Sequence, residues 1–414
     1  MAKRTAYGQM GTDRYQGIDF PRMREYRLKR TKEAMVNHKI DLLITWDAWD
    51  VRYITSSYIT IPTRWLETNL AVLPVNGDPY LYNATSFESG TIREELPWLK
   101  GKAFPRPLTT KLTFGPDGVE PLVKIVCDIM EENGLGKDTI IGLDGCSSEL
   151  DYLEAFGRRG IKVVDAKECM FRARSIKNED EIACIRMACD IADAAFVDIQ
   201  QALRPGVREC ELVGIGMNRL YALGCDETME FVCASGPRTN PMHIDFTDRI
   251  ICPGDLVAID INGASYMGYK TCYYRTFCCG KATQGQKDAF KIARDMMYAS
   301  MDGIKVGNTV ADVAEGWPKD PGYWGLDNWG DAAGYALSHG IGLSLHEFPM
   351  FRPATVLKGD RTVLQEGMVL AVETWFGPKG GDYGVRLEEC VAVTKDGYEL
   401  LTHYPIDELI ECFY

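Results

Sequence analysis

PGDLVAIDINGASYMGYKTCYYRTF, residues 253–277, is the stretch that decides the fold of this chain. After a Pro-Gly turn, the short apolar run from Leu256 to Ile259 predicts a buried strand. The run ends on Asp260, and an ionised carboxylate in a buried strand is costly unless it is paired or binds a metal ion. The segment that follows is rich in Gly and Tyr and predicts a second strand folded back on the first. The stretch therefore predicts a hairpin with a functional carboxylate.

Three later stretches place polar residues in similar apolar surroundings. They are SHGIGLSLHEFP with His339 and His346, GMVLAVE ending on Glu373, and GVRLEE with Glu388. Because strand side chains alternate, Glu388 shares a face with Arg386. That face either is exposed and carries an ordinary Arg386–Glu388 pair, or contributes a carboxylate to a metal site, which is the interpretation we favour. Carboxylates with one imidazole suit Mn, Fe(II), Co or Zn.

The order of these four motifs resembles the pita-bread enzymes, which include methionine aminopeptidase, aminopeptidase P, prolidase and creatinase. An aspartate, His-Gly-x-Gly with a second histidine seven residues on, a glutamate after GMVL, and G-x-R-x-E follow one another. The resemblance covers residues 174–402. It implies an α+β domain in which helices cover a curved antiparallel sheet. It also implies one divalent metal ion, of Fe, Zn or Mn, in the cleft.

The chain ahead of this region predicts a separate, smaller α/β domain, because helices alternate with strands there. We expect residues 1–173 to form a creatinase-like N-terminal domain, starting with an arm over residues 1–20, and residues 174–414 to form the pita-bread domain. The predicted elements are helices at 22–38, 122–132, 178–196, 209–223 and 285–304, and strands at 41–45, 51–54, 70–75, 80–82 and 139–143.

The resemblance assigns roles to individual residues. The implied metal ligands are Asp260, His339, Glu373, Glu388 and Cys272. Catalytic roles are implied for His346, which would contact the substrate or the reacting group, and for Glu373 and Cys272. His243, in CASGPRTNPMH, matches the histidine that aminopeptidase P and creatinase use for substrate binding or proton transfer.

Position 272 is where the sequence departs from the peptidases. They have a second aspartate eleven residues after the first, but position 271 is Thr, and the aligned residue after a one-residue insertion is Cys272. The insertion resembles the dimethylsulfoniopropionate lyases of the pita-bread class, which have Asp-x-Asp and a third aspartate twelve residues after the first. Asn262 and Cys272 replace two of those aspartates. The phrases PRMREYR, VRYITSS and ASGPRTNP also resemble this branch.

Two models of the site follow. In the first, four ligands hold one metal ion, with Cys272 nearby or bound as a thiolate, which would favour Zn or Fe. In the second, the site is metal-free as in creatinase, His243 is the general acid or base, and the glutamates bind a cationic substrate. We favour the first, because four of the five ligands are kept. If Cys272 points into the site, His339 and a bound metal ion are expected to lower its pKa and make it reactive; the alternative is that Cys272 is an unreactive packing residue.

The main functional hypothesis is a metal-dependent lyase or hydrolase that cleaves a C–S or C–N bond of a small zwitterionic substrate. The first alternative is an Xaa-Pro dipeptidase or aminopeptidase. The second is a non-catalytic binding protein on the same fold. Aromatic faces can hold an onium group, so Trp46, Tyr53 and Tyr269 are candidates for substrate binding, with Arg386. The aromatics near Trp46, including Trp65, are nevertheless expected to be mostly core residues.

Composition argues against some partners and compartments. The formal net charge of −13 argues against nucleic acid. No stretch approaches the roughly 20 apolar residues that span a bilayer, and the polar N-terminus predicts no secretory signal. We therefore expect a cytoplasmic protein without a membrane partner, whose fourteen cysteines are reduced. The resemblance implies a homodimer that acts on a small molecule.

Overall fold

The computed structural model describes residues 18–58, 69–83, 94–105, 118–145, 149–240, 242–324, 326–332, 337–352 and 359–413. Most of the predicted arm, and Trp65, lie outside these ranges. The described chain divides into two compact units, with the division after Arg174. None of the helices in the described ranges is long and apolar enough to cross a membrane.

The N-terminal unit is built on a mixed six-stranded sheet in the order β4-β3-β2-β1-β5-β6. β1 pairs antiparallel with β2 and parallel with β5. It therefore connects the antiparallel pair β2–β3 to the parallel pair β5–β6. The turn between β2 and β3 contains the predicted Asn76-Gly77 pair. The strands are β1 Leu42–Thr45, β2 Leu70–Pro74, β3 Tyr80–Asn83, β4 Ala103–Pro105, β5 Ile140–Asp144 and β6 Lys162–Asp165.

Helices pack on this sheet, and the predicted α/β character of the N-terminal region is confirmed. An apolar core of Leu, Ile, Val and aromatic residues lies between the sheet and its helices, and includes Trp46, Val123 and Phe156. The helices are Phe20–Asn37, Ala48–Thr55, Glu120–Glu132, Glu149–Gly157 and Lys167–Arg174.

The predicted strand at 51–54 is wrong, because these residues lie in the helix Ala48–Thr55. The Asp47 side chain accepts hydrogen bonds from the backbone N–H groups of Trp49 and Asp50, and so caps the N-terminus of the helix. Ser56 ends it in the left-handed conformation. A segment of four residues, Val-Arg-Tyr-Ile, is too short to distinguish a strand from a buried helical turn, so the cap decides the outcome.

The C-terminal unit contains a four-stranded sheet in the order β17-β11-β8-β7 and a five-stranded sheet in the order β13-β12-β14-β15-β16. The short strands β9 and β10 form a separate pair at the end of the hairpin. The strands are β7 Glu230–Ser235, β8 Leu256–Asn262, β9 Ser265–Tyr266, β10 Tyr269–Lys270, β11 Tyr274–Cys279, β12 Ser338–Gly340, β13 Glu347–Phe351, β14 Val369–Phe376, β15 Val385–Thr394, β16 Gly397–Leu400 and β17 Ile410–Cys412.

Long helices cover these sheets, as the α+β prediction requires. Glu179–Ala202 begins with the predicted capping box, in which Asn178 and Glu181 each bond the other's backbone N–H. Its apolar face packs with β8 and β11 residues, and Gln284–Met301 packs in a second core with β14 and β15. The other helices of the unit are Glu209–Ala222 and Val310–Ala314.

Candidate metal centre and active site

The hairpin of β8 and β11 presents the site residues through its register. Asp260 lies opposite Tyr274, and residues that lie opposite each other in an antiparallel pair share a face. Continuing this register places Cys272 opposite Asn262, and the Cys272 Sγ lies 2.6 Å from the Asn262 Oδ1. Since Asn262 is two residues after Asp260, all of these side chains lie on one face.

The five-stranded sheet contributes a second set of side chains in the same way. Glu373 of β14 lies directly opposite Glu388 of β15, and Ala371 lies opposite both His339 of β12 and Cys390 of β15. The alternation of side chains therefore places His339, Glu373 and Glu388 on one face of the sheet.

Three side chains from separate parts of the chain meet between the two sets. The Cys272 sulfur, a ring nitrogen of His339 and a carboxylate oxygen of Glu388 all lie within 4.8 Å of one another. The His339 Nε2 is 3.7 Å from the Glu388 Oε1. All three residues are buried. A thiol, an imidazole and a carboxylate are the donors that bind Zn and related ions.

The carboxylates of Asp260 and Glu388 are fully buried and have raised pKa values. Asp260 faces the Tyr274 hydroxyl and Arg386, whereas the described residues donate no hydrogen bond to either Glu388 oxygen. Burial raises the pKa of Asp260 to about 8, although Arg386 opposes this. Burial, Glu373 and Asp260 also raise the pKa of Glu388 well above its ordinary value. Unpaired buried carboxylates are costly, and a divalent cation would remove that cost, so the residues present fit a metal ion.

The ring of His339 is held in the orientation that a metal ligand needs. Its Nδ1 lies 2.9 Å from the Gly340 carbonyl oxygen, so Nδ1 carries the proton and Nε2 presents its lone pair toward Glu388. Burial lowers the pKa of His339 to about 4, which keeps the imidazole neutral.

The glycines of His-Gly-x-Gly are required by close packing. A Cβ added to Gly340 would lie 2.4 Å from the Phe348 carbonyl oxygen, and one added to Gly342 would lie 2.7 Å from the Glu347 carboxylate. Side chains at these positions would displace the loop that follows His339.

Two of the predicted ligands, Asp260 and Glu373, are not members of the three-atom cluster, and Glu373 is paired with Arg386. The Arg386 guanidinium donates to the Glu373 carboxylate and stacks 3.7 Å above the centroid of the Tyr274 ring. Both partners are buried. The alternative of an exposed Arg386–Glu388 surface pair is therefore wrong. Arg386, which was expected to bind substrate, neutralises a carboxylate of the site.

The other two histidines differ in their surroundings. The His346 ring lies beside the His339 ring with 4.4 Å between centroids, and its outer side is exposed. Partial burial and His339 lower its pKa. His243 is exposed, and its backbone N–H donates to the Arg238 carbonyl. The preceding residue, Met242, contacts the Arg386 guanidinium through its sulfur, which places the start of the His243 loop at the edge of the site.

The charges of the protein itself do not lower the pKa of Cys272, so the predicted lowering is wrong for the protein without a bound ion. Burial raises the pKa of the Cys272 thiol well above its ordinary value, and Glu388 and Asp260 raise it further. Three acids near the sulfur outweigh one neutral histidine. Rapid alkylation of Cys272 is therefore not expected from the protein's own charges.

The three aromatic candidates for substrate binding all have packing roles. Trp46 packs on Tyr152 in the N-terminal core, and the Tyr53 hydroxyl donates to the Ala173 carbonyl. Only 4% and 1% of their surfaces are exposed, so the core interpretation accounts for both. Tyr269 donates a 2.6 Å hydrogen bond to Glu181 and ties the hairpin to a helix.

One supporting contact was missed by the sequence analysis. The Lys177 ammonium lies 2.8 Å from the Glu347 carboxylate, and both side chains are buried. The other Glu347 oxygen accepts a 3.0 Å hydrogen bond from the Ser344 N–H. The pair therefore anchors the loop between His339 and His346. Lys177 and Glu347 are 170 residues apart, so no local pattern indicates the pair.

Comparisons with known proteins agree with this fold. A family model described as metallopeptidase family M24 matches residues 183–395, just over half of the chain. The Xaa-Pro dipeptidase of Pyrococcus horikoshii is 33% identical over 55% of this chain, which spans 63% of that protein. Dimethylsulfoniopropionate lyase DddP of Roseovarius nubinhibens is 26% identical over 97% of this chain and 90% of that protein.

A solved structure extends the likeness to the fold of almost the whole chain. The Xaa-Pro dipeptidase from Bacillus anthracis has a TM-score of 0.74 and 24% sequence identity, over 93% of this chain and 99% of that one. The predicted pita-bread fold is confirmed by this likeness and by the arrangement of sheets and helices.

Proposed function

The chain belongs to metallopeptidase family M24, and we propose that it is a metal-dependent lyase or hydrolase that cleaves a C–S or C–N bond in a small zwitterionic substrate. Members of this family are enzymes, both peptidases and a lyase. The observation that carries the proposal is Cys272, which aligns with the second metal-binding aspartate of the family's peptidases and whose sulfur lies within 4.8 Å of ligand atoms of His339 and Glu388. Losing that carboxylate, with a neutral Asn262 beside it, favours one metal ion over the two that activate water in the peptidases.

The charge of the site supports a substrate that is neutral overall. Asp260, Glu373 and Glu388 are three buried acids facing the single cation Arg386. One divalent ion would balance the remaining negative charge, so a zwitterion enters without adding net charge to a buried cleft. The relative DddP matches over nearly the whole length of this chain, and its name, dimethylsulfoniopropionate lyase, gives it a zwitterionic substrate.

The residues of the chain have distinct tasks in this proposal. A bound divalent ion would polarise a substrate carboxylate or carbonyl, or a water molecule. Asp260, His339 and Glu388 would hold that ion, and Arg386 keeps Glu373 in place beside them. In an elimination, the neutral imidazole of His346 accepts a proton from the carbon next to the substrate carboxylate. The C–S bond at the following carbon breaks with its electron pair on sulfur, and a carbon–carbon double bond forms. In a hydrolysis, His346 instead accepts a proton from the water molecule whose oxygen bonds to the carbon of the C–N bond, and the departing nitrogen takes up a proton.

Two measurements test the proposal. Elemental analysis of the purified protein should find about one divalent ion per chain. The value of kcat/KM is then compared for dimethylsulfoniopropionate, creatine and Xaa-Pro dipeptides. We expect it to be higher with dimethylsulfoniopropionate or creatine than with the dipeptides. A higher kcat/KM with Xaa-Pro dipeptides would overturn the proposal in favour of the dipeptidase named in the comparisons.

A metal-free, creatinase-like site is the second candidate. One observation favours it. The Glu373 carboxylate is bonded to Arg386 and does not belong to the cluster of Cys272, His339 and Glu388. In this case turnover would survive exhaustive chelation, and His243→Ala would abolish it. Loss of activity on chelation, with recovery when the ion is returned, rules this candidate out.

A further inference from the structure

We infer that the Cys272 thiolate binds the metal ion directly, and that this ligand makes the site select Zn²⁺, Fe²⁺ or Co²⁺ over Mn²⁺ and Mg²⁺. The inference rests on the proposed function in one respect, which is that an ion binds between Asp260, His339 and Glu388. It concerns this chain's own departure from the carboxylate set of its relatives.

The register of the hairpin directs Cys272, and not its neighbour, into the cleft. Cys272 lies opposite Asn262 on the face of Asp260. Thr271 points the other way, and its hydroxyl lies 3.1 Å from the Cys189 sulfur. The one-residue insertion therefore replaces an aspartate by a thiol at the position that faces the ligands.

The distances fit a shared ion. Metal bonds of about 2.0 Å to N and O and about 2.3 Å to S place the ligand atoms of a tetrahedron roughly 3.3 to 3.8 Å apart. The His339 Nε2 and the Glu388 Oε1 are 3.7 Å apart, and the Cys272 Sγ is within 4.8 Å of both ligand atoms. A small inward movement of the sulfur completes the set. The Glu388 oxygens are fully buried and accept no hydrogen bond from the residues that the structure describes, which points to a cation independently of the cysteine.

The polar surroundings of the sulfur argue against a packing role. A buried free cysteine usually acts as a small apolar residue. Cys272, only 4% exposed, has instead an amide, an imidazole and a carboxylate around its sulfur. The Asn262 amide is oriented by a 3.5 Å contact of its Nδ2 with Glu230, so that its oxygen accepts the thiol S–H. When the metal–sulfur bond forms, the S–H bond breaks and its proton leaves to the solvent.

A thiolate changes the metal preference of the site. Carboxylates alone suit Mg, Ca and Mn, whereas thiolate and imidazole ligands suit Zn, Fe and Co. The exchange of aspartate for Cys272 therefore shifts the preference toward the softer ions.

Cobalt binding to the full-length protein tests the ligand without using activity. Metal is removed with chelator, Co²⁺ is titrated, and the near-ultraviolet sulfur-to-cobalt charge-transfer band is recorded. The wild type should bind one equivalent with this band. Cys272→Ser should still bind Co²⁺ but lose the band, and the matched control Cys390→Ser should keep it. Cys390 is suitable because its thiol donates to the Cys272 carbonyl, a bond that a hydroxyl can also make.

The outcomes separate this inference from the proposed function. Stoichiometric Co²⁺ binding to the wild type without the band, or with a band that Cys272→Ser retains, overturns the cysteine ligand and leaves the metal site standing. No Co²⁺ binding at all overturns both the inference and the metal-dependent function.

A second variant tests the selectivity and guards against a folding defect. Cys272→Asp should lower the preference for Zn²⁺ over Mn²⁺ on the order of tenfold or more, as measured by competition with a chelating indicator. Far-UV circular dichroism checks that the variant is folded. An unchanged Zn²⁺/Mn²⁺ preference in folded Cys272→Asp would contradict the proposed selectivity.

Discussion

Arg386 is central to the charge balance of the cleft. Its guanidinium bonds Glu373, stacks on Tyr274 and faces Asp260 and Glu388. Burial disfavours its charge, but Tyr274, Glu373 and Asp260 together raise its pKa above the ordinary value. Arg386 therefore stays cationic and offsets the negative charge of the buried acids around it.

Arg386→Met is expected to destabilise the chelator-treated protein by about 3–5 kcal/mol, because it leaves a buried carboxylate without its partner. The loss should be smaller with excess Zn²⁺, because the ion offsets the same charges. Urea unfolding with and without metal measures both values. Arg186→Met is the control, because the exposed Arg186–Glu399 pair should contribute less than about 1 kcal/mol. Equal stability of the Arg386→Met and Arg186→Met variants would contradict this account.

His339→Ala and Glu373→Ala are expected to abolish turnover while the far-UV spectrum stays that of the wild type. His339→Ala should also lose bound metal, because its Nε2 faces the ligand cluster. Metal content and turnover are measured on the same samples. The control is His38→Ala, since this histidine belongs to the N-terminal unit and bonds the Ala34 carbonyl instead. Wild-type turnover in either of the first two variants would refute the assignment of these residues.

At the scale of the element, the helix Ala48–Thr55 depends on Asp47. The carboxylate caps the helix and lies 2.7 Å from the Lys167 ammonium. Burial alone would raise the pKa of Asp47, but Arg174 and Lys167 outweigh it and hold the pKa below its ordinary value of 3.8. A depressed pKa means that the stabilising charge is complete above pH 3.8 and is lost as the pH falls through the lower folded value.

Asp47→Ala is therefore expected to lower the free energy of unfolding by about 1–2 kcal/mol at pH 7. Asp47→Asn should cost less, because Asn also caps helices, and its difference from the wild type should shrink as the pH falls below 3.8 and through the lower folded value. Urea unfolding between pH 7 and pH 3 tests both variants. Asp78→Asn, which removes an exposed pair with Lys100, is the control. A pH-independent cost of Asp47→Asn would show that the charge contributes nothing.

The loop between β12 and β13 depends on the buried Lys177–Glu347 pair. Lys177→Met should cost about 3–5 kcal/mol, because the buried Glu347 carboxylate loses the ammonium that lies 2.8 Å from it. Adding Glu347→Gln to that variant should recover much of the loss, because the charge is then gone. Urea unfolding of the two single variants and the double variant measures the coupling. A double variant that is as unstable as Lys177→Met would show that packing, not charge, determines the cost. Lys291→Met is the surface control.

For the whole molecule, we expect a homodimer. The motivation is the family to which the chain belongs, since its pita-bread members include dimeric enzymes. Light scattering at micromolar concentration should give a mass of twice 46.4 kDa. A mass near that of one chain would contradict the prediction.

The sequence by itself determined the order of the motifs and most of the elements. Strand alternation predicted that Glu388 and Arg386 share a face, and β15 confirms it. The Asn178–Glu181 pair predicted the start of a helix, and the capping box is present. The one-residue insertion indicated that Cys272, not Thr271, faces the site. These properties are encoded within a few neighbouring residues, because alternation and capping are local.

Only the tertiary structure decided which atoms meet. It pairs Arg386 with Glu373, raises rather than lowers the pKa of Cys272, and buries Trp46 in a core. It also makes residues 51–54 helical. The physical reason is that burial and charge at a site come from strands far apart in the chain. A pKa depends on every charge and solvent-excluding group around it, and a linear pattern records neither.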